Sequence, residues 1–216
     1  MTAPPLRDQI AERAALADIR PTTEQLDKLV QYFLLLERWN QKINLTALPL
    51  AARENSTIDR LIVEPLIAAS GLASHTREWF DFGSGGGSPA IPMKLMHPSA
   101  RLVMVEAKER KAAFLREAVS SLGIFAAEVL TVRIEELPAP QSADLADLVT
   151  MRAVRPDPEV LAAAHTLLKM HGLFVLFRGR DDLSWGETEL GGEFNVLDSR
   201  SLAPSSGILL TLSKSR

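Results

Sequence analysis

The chain of 216 residues contains no cysteine. That absence excludes disulfides, thiolate metal sites and cysteine nucleophiles, and it fits a reducing compartment. Charges interrupt the longest apolar runs well short of the ~18 residues that span a bilayer, so no membrane partner is expected. The amino-terminal stretch MTAPPLRDQIAERAALADIR carries acids early and has no apolar signal core, which gives the cytoplasm as the expected location. An overall basic balance is also missing: the formal net charge is −3, which argues against binding nucleic acid through bulk charge. The four histidines, His75, His97, His165 and His171, show neither metal-ligand nor triad spacing, so no metal is expected. A local basic face is still available. Arg38, Lys42, Arg53 and Arg60 precede the glycine-rich stretch described below, and Arg152, Arg155, Arg178 and Arg180 follow it.

The first 72 residues read as a helical amino-terminal extension, and residues 73–216 as an α/β domain on which it packs. Thr22 and Gln25 have capping-box spacing, and Leu26, Leu29, Val30, Phe33 and Leu36 follow at helical intervals. A second helix is expected in STIDRLIVEPLIAASG, broken or started at Pro65 and ended at Gly71. From residue 78 strands and helices alternate. EWFDF, RLVMVE, AEVLTVR, ADLVTMR and GLFVLFR, the last opening at Gly172, read as buried strands. Helices fall near Ile91–Met96, Lys108–Leu122 and Pro158–Met170. This alternation predicts a Rossmann-like, mostly parallel sheet. The last two strands, EFNVLDSRSL and GILLTLSKS, are joined by APSSG, too short for a helical crossover, so they should form an antiparallel hairpin.

Between the first strand and its helix lies DFGSGGGSPAIP, with four glycines in the five positions from Gly83 to Gly87. A loop at the carboxyl end of a buried strand is where open α/β sheets bind ligands. A dinucleotide fingerprint starting at Gly83 would need glycine where Ser88 stands, and a phosphate loop would need Gly-Lys-Ser/Thr, which is absent. The pattern present is D-x-G-x-G-x-G: Asp81, Gly83, Gly85, Gly87, with Ser84 between the first two glycines. An acid before the first glycine repels a pyrophosphate and suits a cationic ligand end, such as the amino-acid portion of S-adenosylmethionine. Glu106 closes the second strand, where a carboxylate accepts ribose hydroxyls or caps the helix from Lys108. Ile134 and Glu135, after the third strand, stand where an adenine could lie. The methyl acceptor is constrained by absences: no cysteine for attack on a pyrimidine ring, and TMRAVRPDPE where an Asn/Asp-Pro-Pro-aromatic sequence would mark amino-group methylation. An acceptor with an exposed lone pair, such as guanine N7, needs positioning and no protein base.

The segments DFGSGGGSPAIPMKL, MVEAKERKAAFL, RIEEL, ADLVTMRAV and GLFVLFRG, in this order, together with RWNQKINLTAL upstream, resemble the GidB-type bacterial methyltransferases. That resemblance covers nearly all of the chain from residue 36. It implies S-adenosylmethionine as cofactor and guanine N7 of small-subunit (16S) ribosomal RNA or its precursor particle as acceptor; a monomer is expected. It also implies Gly83 and Ser88 along the cofactor, Ile134 and Glu135 at the adenine, and Arg152 beside the methyl-transfer site in a positioning role. Lys42, Asn44, Arg60, Arg155 and Arg178 are the expected RNA contacts. The chain departs from the family pattern at several places. Ser88 replaces a large apolar residue, Ala90 a glycine and Arg178 a lysine. Within RLIVEPL, Leu61, Glu64 and Pro65 replace histidine, aspartate and serine. The alternative acceptors are another RNA, a protein or a small molecule.

Overall fold

The computed structural model describes residues 5–137, 144–179 and 192–215; Arg180 lies outside them. The capping box at the start of the second helix is closed on both sides. The Gln25 N–H donates to Thr22 Oγ1 (3.2 Å), and the Thr22 N–H donates to Gln25 Oε1 (2.8 Å). That helix, α2 (Thr23–Asn40), buries Leu26, Leu29, Tyr32, Phe33, Leu35 and Leu36, and it packs beside α1 (Leu6–Leu16). The segment expected to break at Pro65 does not break. Helix α3 (Asn55–Ile58), a π-helical turn (Asp59–Val63) and α4 (Glu64–Ser70) follow one another directly. Proline lacks an N–H and clashes with the carbonyl four residues back. The wider π turn immediately before it accommodates both defects.

The strands are β1 (Glu78–Phe82), β2 (Arg101–Val105), β3 (Ala127–Leu130), β4 (Ala146–Arg152), β5 (Leu168–Arg178), β6 (Phe194–Ser201) and β7 (Ile208–Lys214). They form one sheet in the order β3-β2-β1-β4-β5-β7-β6. The first five are parallel, whereas β7 runs antiparallel to β5 and β6 antiparallel to β7. Helices α5 (Ala90–Met96), α6 (Glu109–Ser121) and α7 (Pro158–Leu167) connect the parallel strands. Three boundaries move most from the sequence expectation, the first being β5, which opens at Leu168 and not at Gly172. Helix α7 stops at Leu167, not Met170, because Leu168 already pairs with Ala146 of β4 across a bulge. Strand β3 ends at Leu130, and the chain turns into a short 3₁₀ helix (Ile134–Glu136).

Side chains of a strand alternate between faces, and this splits the core in two. Trp79, Leu102, Met104, Leu148, Val175 and Phe177 face one cluster shared with α1 through α6. Phe80, Phe82, Val103, Val149, Met151 and Leu176 face the other, with Ile134 and α7. The same alternation puts Asp81, Thr150 and Arg152 on the side of the amino-terminal helices. The strand order reverses between β1 and β4, so the carboxyl ends of these two strands flank the crevice where such sheets take ligands.

Candidate active site

The glycine stretch leaves β1 and folds over the end of β2: the Gly83 and Ser84 N–H groups donate to Val105 O at 2.9 and 3.1 Å. Gly83, Gly85 and Gly87 have φ of +66°, +50° and +82°, a region that favours glycine. What an added Cβ would meet divides the four glycines. At Gly83 it would strike Val154 Cγ2, and at Gly85 it would meet nothing closer than Gly83 O at 3.6 Å. At Gly86 it would press on Leu36 Cδ1 of α2 (3.2 Å), and at Gly87 on Ile91 Cδ1 of α5 (2.6 Å). Gly83 and Gly85 therefore border open or adjustable space, while Gly86 and Gly87 let two helices approach. Tyr32 of α2, fully buried, donates to Gly86 O (2.7 Å) and fixes the loop from above. Burial raises the Tyr32 hydroxyl pKa and keeps it neutral.

Glu106 caps the start of α6 and also holds the glycine loop. Its Oε1 accepts the Lys108 N–H (2.8 Å) at the start of α6, and its Oε2 accepts the Gly85 N–H (2.9 Å). It thus ties the loop to the second strand. Each carboxylate oxygen has a second lone pair, so capacity to accept ribose hydroxyls remains.

Asp81 is 1 % exposed. Thr150 Oγ1 accepts the Trp79 indole N–H (2.8 Å) and donates to Asp81 Oδ1 (2.5 Å), while Asp81 Oδ2 has no hydrogen-bond partner. Burial pushes the Asp81 carboxyl up to about 6; the Thr150 and Ser84 hydroxyls and the charge of Arg152 oppose the rise, and the charge of Glu106 adds to it. Arg152, at the end of β4, has a side chain only 8 % exposed. Its Nη2 donates to Glu64 Oε2 (2.6 Å), its Nη1 to Arg60 O and to Ser88 Oγ (3.3 Å), and its guanidinium stacks 4.3 Å from the Phe177 ring centroid. Its Nε has no hydrogen-bond partner. Burial and the neighbouring charge of Arg60 lower Arg152 to about 10, against the pull of Glu64, and it stays charged at neutral pH. Its carboxylate partner is Glu64, neither Asp81 nor Glu106.

Two orphans of opposite kind thus lie near each other: an acceptor on Asp81 and a donor on Arg152, each felt electrostatically by the other. An orphaned buried polar atom carries a penalty of about 1–3 kcal/mol. The amino-acid end of S-adenosylmethionine, an ammonium beside a carboxylate, complements the pair. The residues present fit that group.

A cavity of about 290 Å³ opens between the loop and the amino-terminal segment, lined by Gly83, Gly85, Ser88, Arg152, Arg60, Leu61, Leu45 and Lys111 among others. A second, of about 340 Å³, lies beyond Ala153 and Val154 and includes Arg155, Phe177 and Arg178 in its walls. Arg60 joins the two regions through a long bond from Nη1 to Arg178 O (3.4 Å). Lys42 and Asn44 are exposed and do not line the first cavity, and Arg155 is exposed beside Asp157 (3.3 Å). Ile134 is buried in the α7-side core, and Glu135 lines a separate cavity against α7. The NLT segment is held by a residue the sequence did not single out: Asn40 Oδ1 accepts the Leu45 and Thr46 N–H groups, and Asn40 Nδ2 donates to Thr46 O. Tyr32, Thr150, Val154, Lys111 and Ser205 were missed as well. Each becomes informative only once distant segments meet.

Residues 25–190 match the family described as GidB, rRNA small subunit methyltransferase G. A protein of Cereibacter sphaeroides named ribosomal RNA small subunit methyltransferase G is 34% identical over 181 residues, covering 80% of this chain and 82% of that one. Its namesake in Paracoccus denitrificans is 36% identical over 163 residues, covering 74% and 79%. Among solved structures, a SAM-dependent methyltransferase from Aquifex aeolicus superposes with a TM-score of 0.58 at 15% identity, covering 75% of this chain and 94% of that one. The fibrillarin/Nop5p complex does so with 0.54 at 19%, covering 70% and 79%. At such identities the two structures speak for the fold.

Proposed function

The chain belongs to the rRNA small subunit methyltransferase G family, and from that premise we propose that it transfers the methyl group of S-adenosylmethionine to N7 of a guanine in small-subunit ribosomal RNA. The observation that carries the cofactor half is the pair of complementary orphans, Asp81 Oδ2 and Arg152 Nε, near the carboxyl ends of β1 and β4. Asp81 would accept from the ligand's ammonium and Arg152 would donate to its carboxylate. Gly83, Ser84, Gly85, Gly87 and Ser88 would form the bed, Glu106 would accept the ribose hydroxyls, and Ile134 and Glu135 would border the adenine. When bound, the cofactor supplies an electrophilic methyl on a sulfonium. Guanine N7 brings its own lone pair, so the protein's task is alignment and exclusion of water, and no general base is required. Lys42, Asn44, Arg60, Arg155 and Arg178 would engage the RNA around the two cavities. No helix among the described residues is long and apolar enough to cross a membrane. Action as a monomer in the cytoplasm completes the reading.

Labelled-methyl transfer to small-subunit RNA lacking the mark, followed by nucleoside analysis, tests the whole reading. Label in 7-methylguanosine is expected. Label in another nucleoside, or none on naked RNA and particle alike, overturns the acceptor. Gly83→Asp and Glu106→Ala should each abolish measurable cofactor binding; unchanged affinity in both removes the cofactor site. Methylation should weaken steeply with added salt, as contacts to several phosphates require, whereas a small-molecule acceptor would be indifferent.

A further inference from the structure

The departures from the family pattern at Ser88, Glu64 and Pro65 meet at one place. The Glu64 N–H, which in an α-helix would serve Arg60 O, goes to Asp59 O instead, because the turn is π. The bonding then returns to the α-helical pattern, in which residue 65 would serve Leu61 O, so the step passes over Arg60 O. Arg60 O is therefore open, and Arg152 Nη1 takes it. Pro65 removes the amide four residues beyond Leu61, and Ser88 Oγ donates to Leu61 O at 2.9 Å. Ser88 Oγ in turn receives Arg152 Nη1 (3.3 Å), and Glu64, fully buried, holds Arg152 Nη2 (2.6 Å). Glu64 is steadied from the hairpin, where Ser205 Oγ donates to its Oε1 (2.6 Å) and Gly207 leaves no room for a Cβ beside it.

We propose that Pro65, Ser88 and Glu64 act as one positioning unit for Arg152: the π turn leaves Arg60 O to Arg152, and the proline leaves Leu61 O to Ser88. Ser88 is a positioning residue that acts through Leu61 O and Arg152, beyond any contact it makes with the cofactor. The proposal rests on the reading that Arg152 borders the methyl-transfer site. An apolar residue at 88 would leave Leu61 O unpaired in the presence of Pro65, whereas a residue 65 with an N–H would make the hydroxyl dispensable. The two positions should therefore be energetically coupled although they lie far apart in sequence.

A double-mutant cycle over Ser88→Ala and Pro65→Ala tests this, read by chemical denaturation and by steady-state methyl transfer. With Pro65 present, Ser88→Ala should lower the folding equilibrium constant roughly tenfold, the usual consequence of losing one hydrogen bond at a part-buried carbonyl. It should lower kcat by a similar factor while KM for S-adenosylmethionine stays within about twofold. In the Pro65→Ala background the same change should cost under about threefold in both readouts, since residue 65 then offers Leu61 O its own amide. Ser88→Thr, which keeps the hydroxyl, should retain most of kcat. Equal effects of Ser88→Ala in the two backgrounds overturn the proposal, as does a Ser88→Thr variant as poor as Ser88→Ala. A rise confined to KM for S-adenosylmethionine would also overturn it, by reducing Ser88 to a cofactor contact. If the wild-type chain bound no S-adenosylmethionine, the reading of the site would fall, while the denaturation arm would still decide the coupling.

Discussion

The candidate site has a sheet-borne half and a helix-borne half, and they are built differently. Asp81, Thr150 and Glu106 sit at strand ends, where pairing register fixes them: Asp81 lies opposite Thr150 and Met104 in neighbouring strands. Their backbone is regular, and their one abnormality is chemical, a buried carboxylate with an unused oxygen. On the helix side the backbone itself is irregular. A π turn and a proline expose carbonyls of Arg60 and Leu61, and side chains from β4 and the glycine loop occupy them. The sheet holds an uncompensated charge for a ligand; the helical joint compensates its own defects internally. The contrast teaches that a buried polar group without a partner points to binding, while a buried polar group with several points to architecture.

The comparison is broken most severely at Glu64. Removing one member of a buried ion pair leaves the other charge uncompensated, so Glu64→Ala should destabilise the protein by about 3–5 kcal/mol. Urea denaturation at neutral pH measures this, and a loss below about 1 kcal/mol would mean that Arg152 does not depend on the helical joint. Asp81→Asn should act in the opposite direction. The folded Asp81 carboxyl lies at about 6, above its usual 3.8. A raised acid favours folding fully below pH ~4, and that contribution is lost as pH climbs through 6. Asn cannot ionise and still accepts from Thr150, so the variant should exceed the wild type by about 3 kcal/mol at pH 8. The difference should vanish near pH 4, while cofactor affinity falls. Equal stability of the two at pH 8 would count against a functional role for the stranded carboxylate.

Two smaller changes separate the halves of the loop. Gly87→Ala combines a left-handed backbone with a clash on Ile91 and should cost about 2–3 kcal/mol of stability. Gly85→Ala has the same backbone demand without the clash and should cost about 1–2 kcal/mol, yet lose more cofactor affinity than its stability change explains. Thermal denaturation beside calorimetric titration distinguishes them, and parallel losses in both variants would erase the division. Asn40→Ala, which releases the NLT segment, should cost about 1 kcal/mol. Its effect should fall on KM for RNA more than on kcat, and a pure kcat effect would place that segment at the chemistry instead.

Much of this was readable before any tertiary contact was known. The short apolar runs alternating with helices gave the buried strands and the short APSSG link gave the hairpin, because strand formation and turn length are local constraints. The D-x-G-x-G-x-G pattern located the loop because positive φ selects glycine whatever surrounds it. Patterning did not reveal that Gly86 serves α2, because Leu36 lies fifty residues upstream. Nor did it reveal the continuous helix through Pro65. A proline reads as a break until a π turn accommodates it and two foreign donors, Ser88 and Arg152, take the carbonyls that the joint leaves open. The sequence by itself determined the sheet and the glycine loop, since each follows from covalent geometry and patterning over a few neighbouring residues. Only the tertiary structure decided which carboxylate holds Arg152 and which polar atoms stay unpaired. Hydrogen-bond satisfaction in a buried site is settled between segments as distant as Arg60, Ser88, Arg152 and Ser205, and no local pattern encodes it.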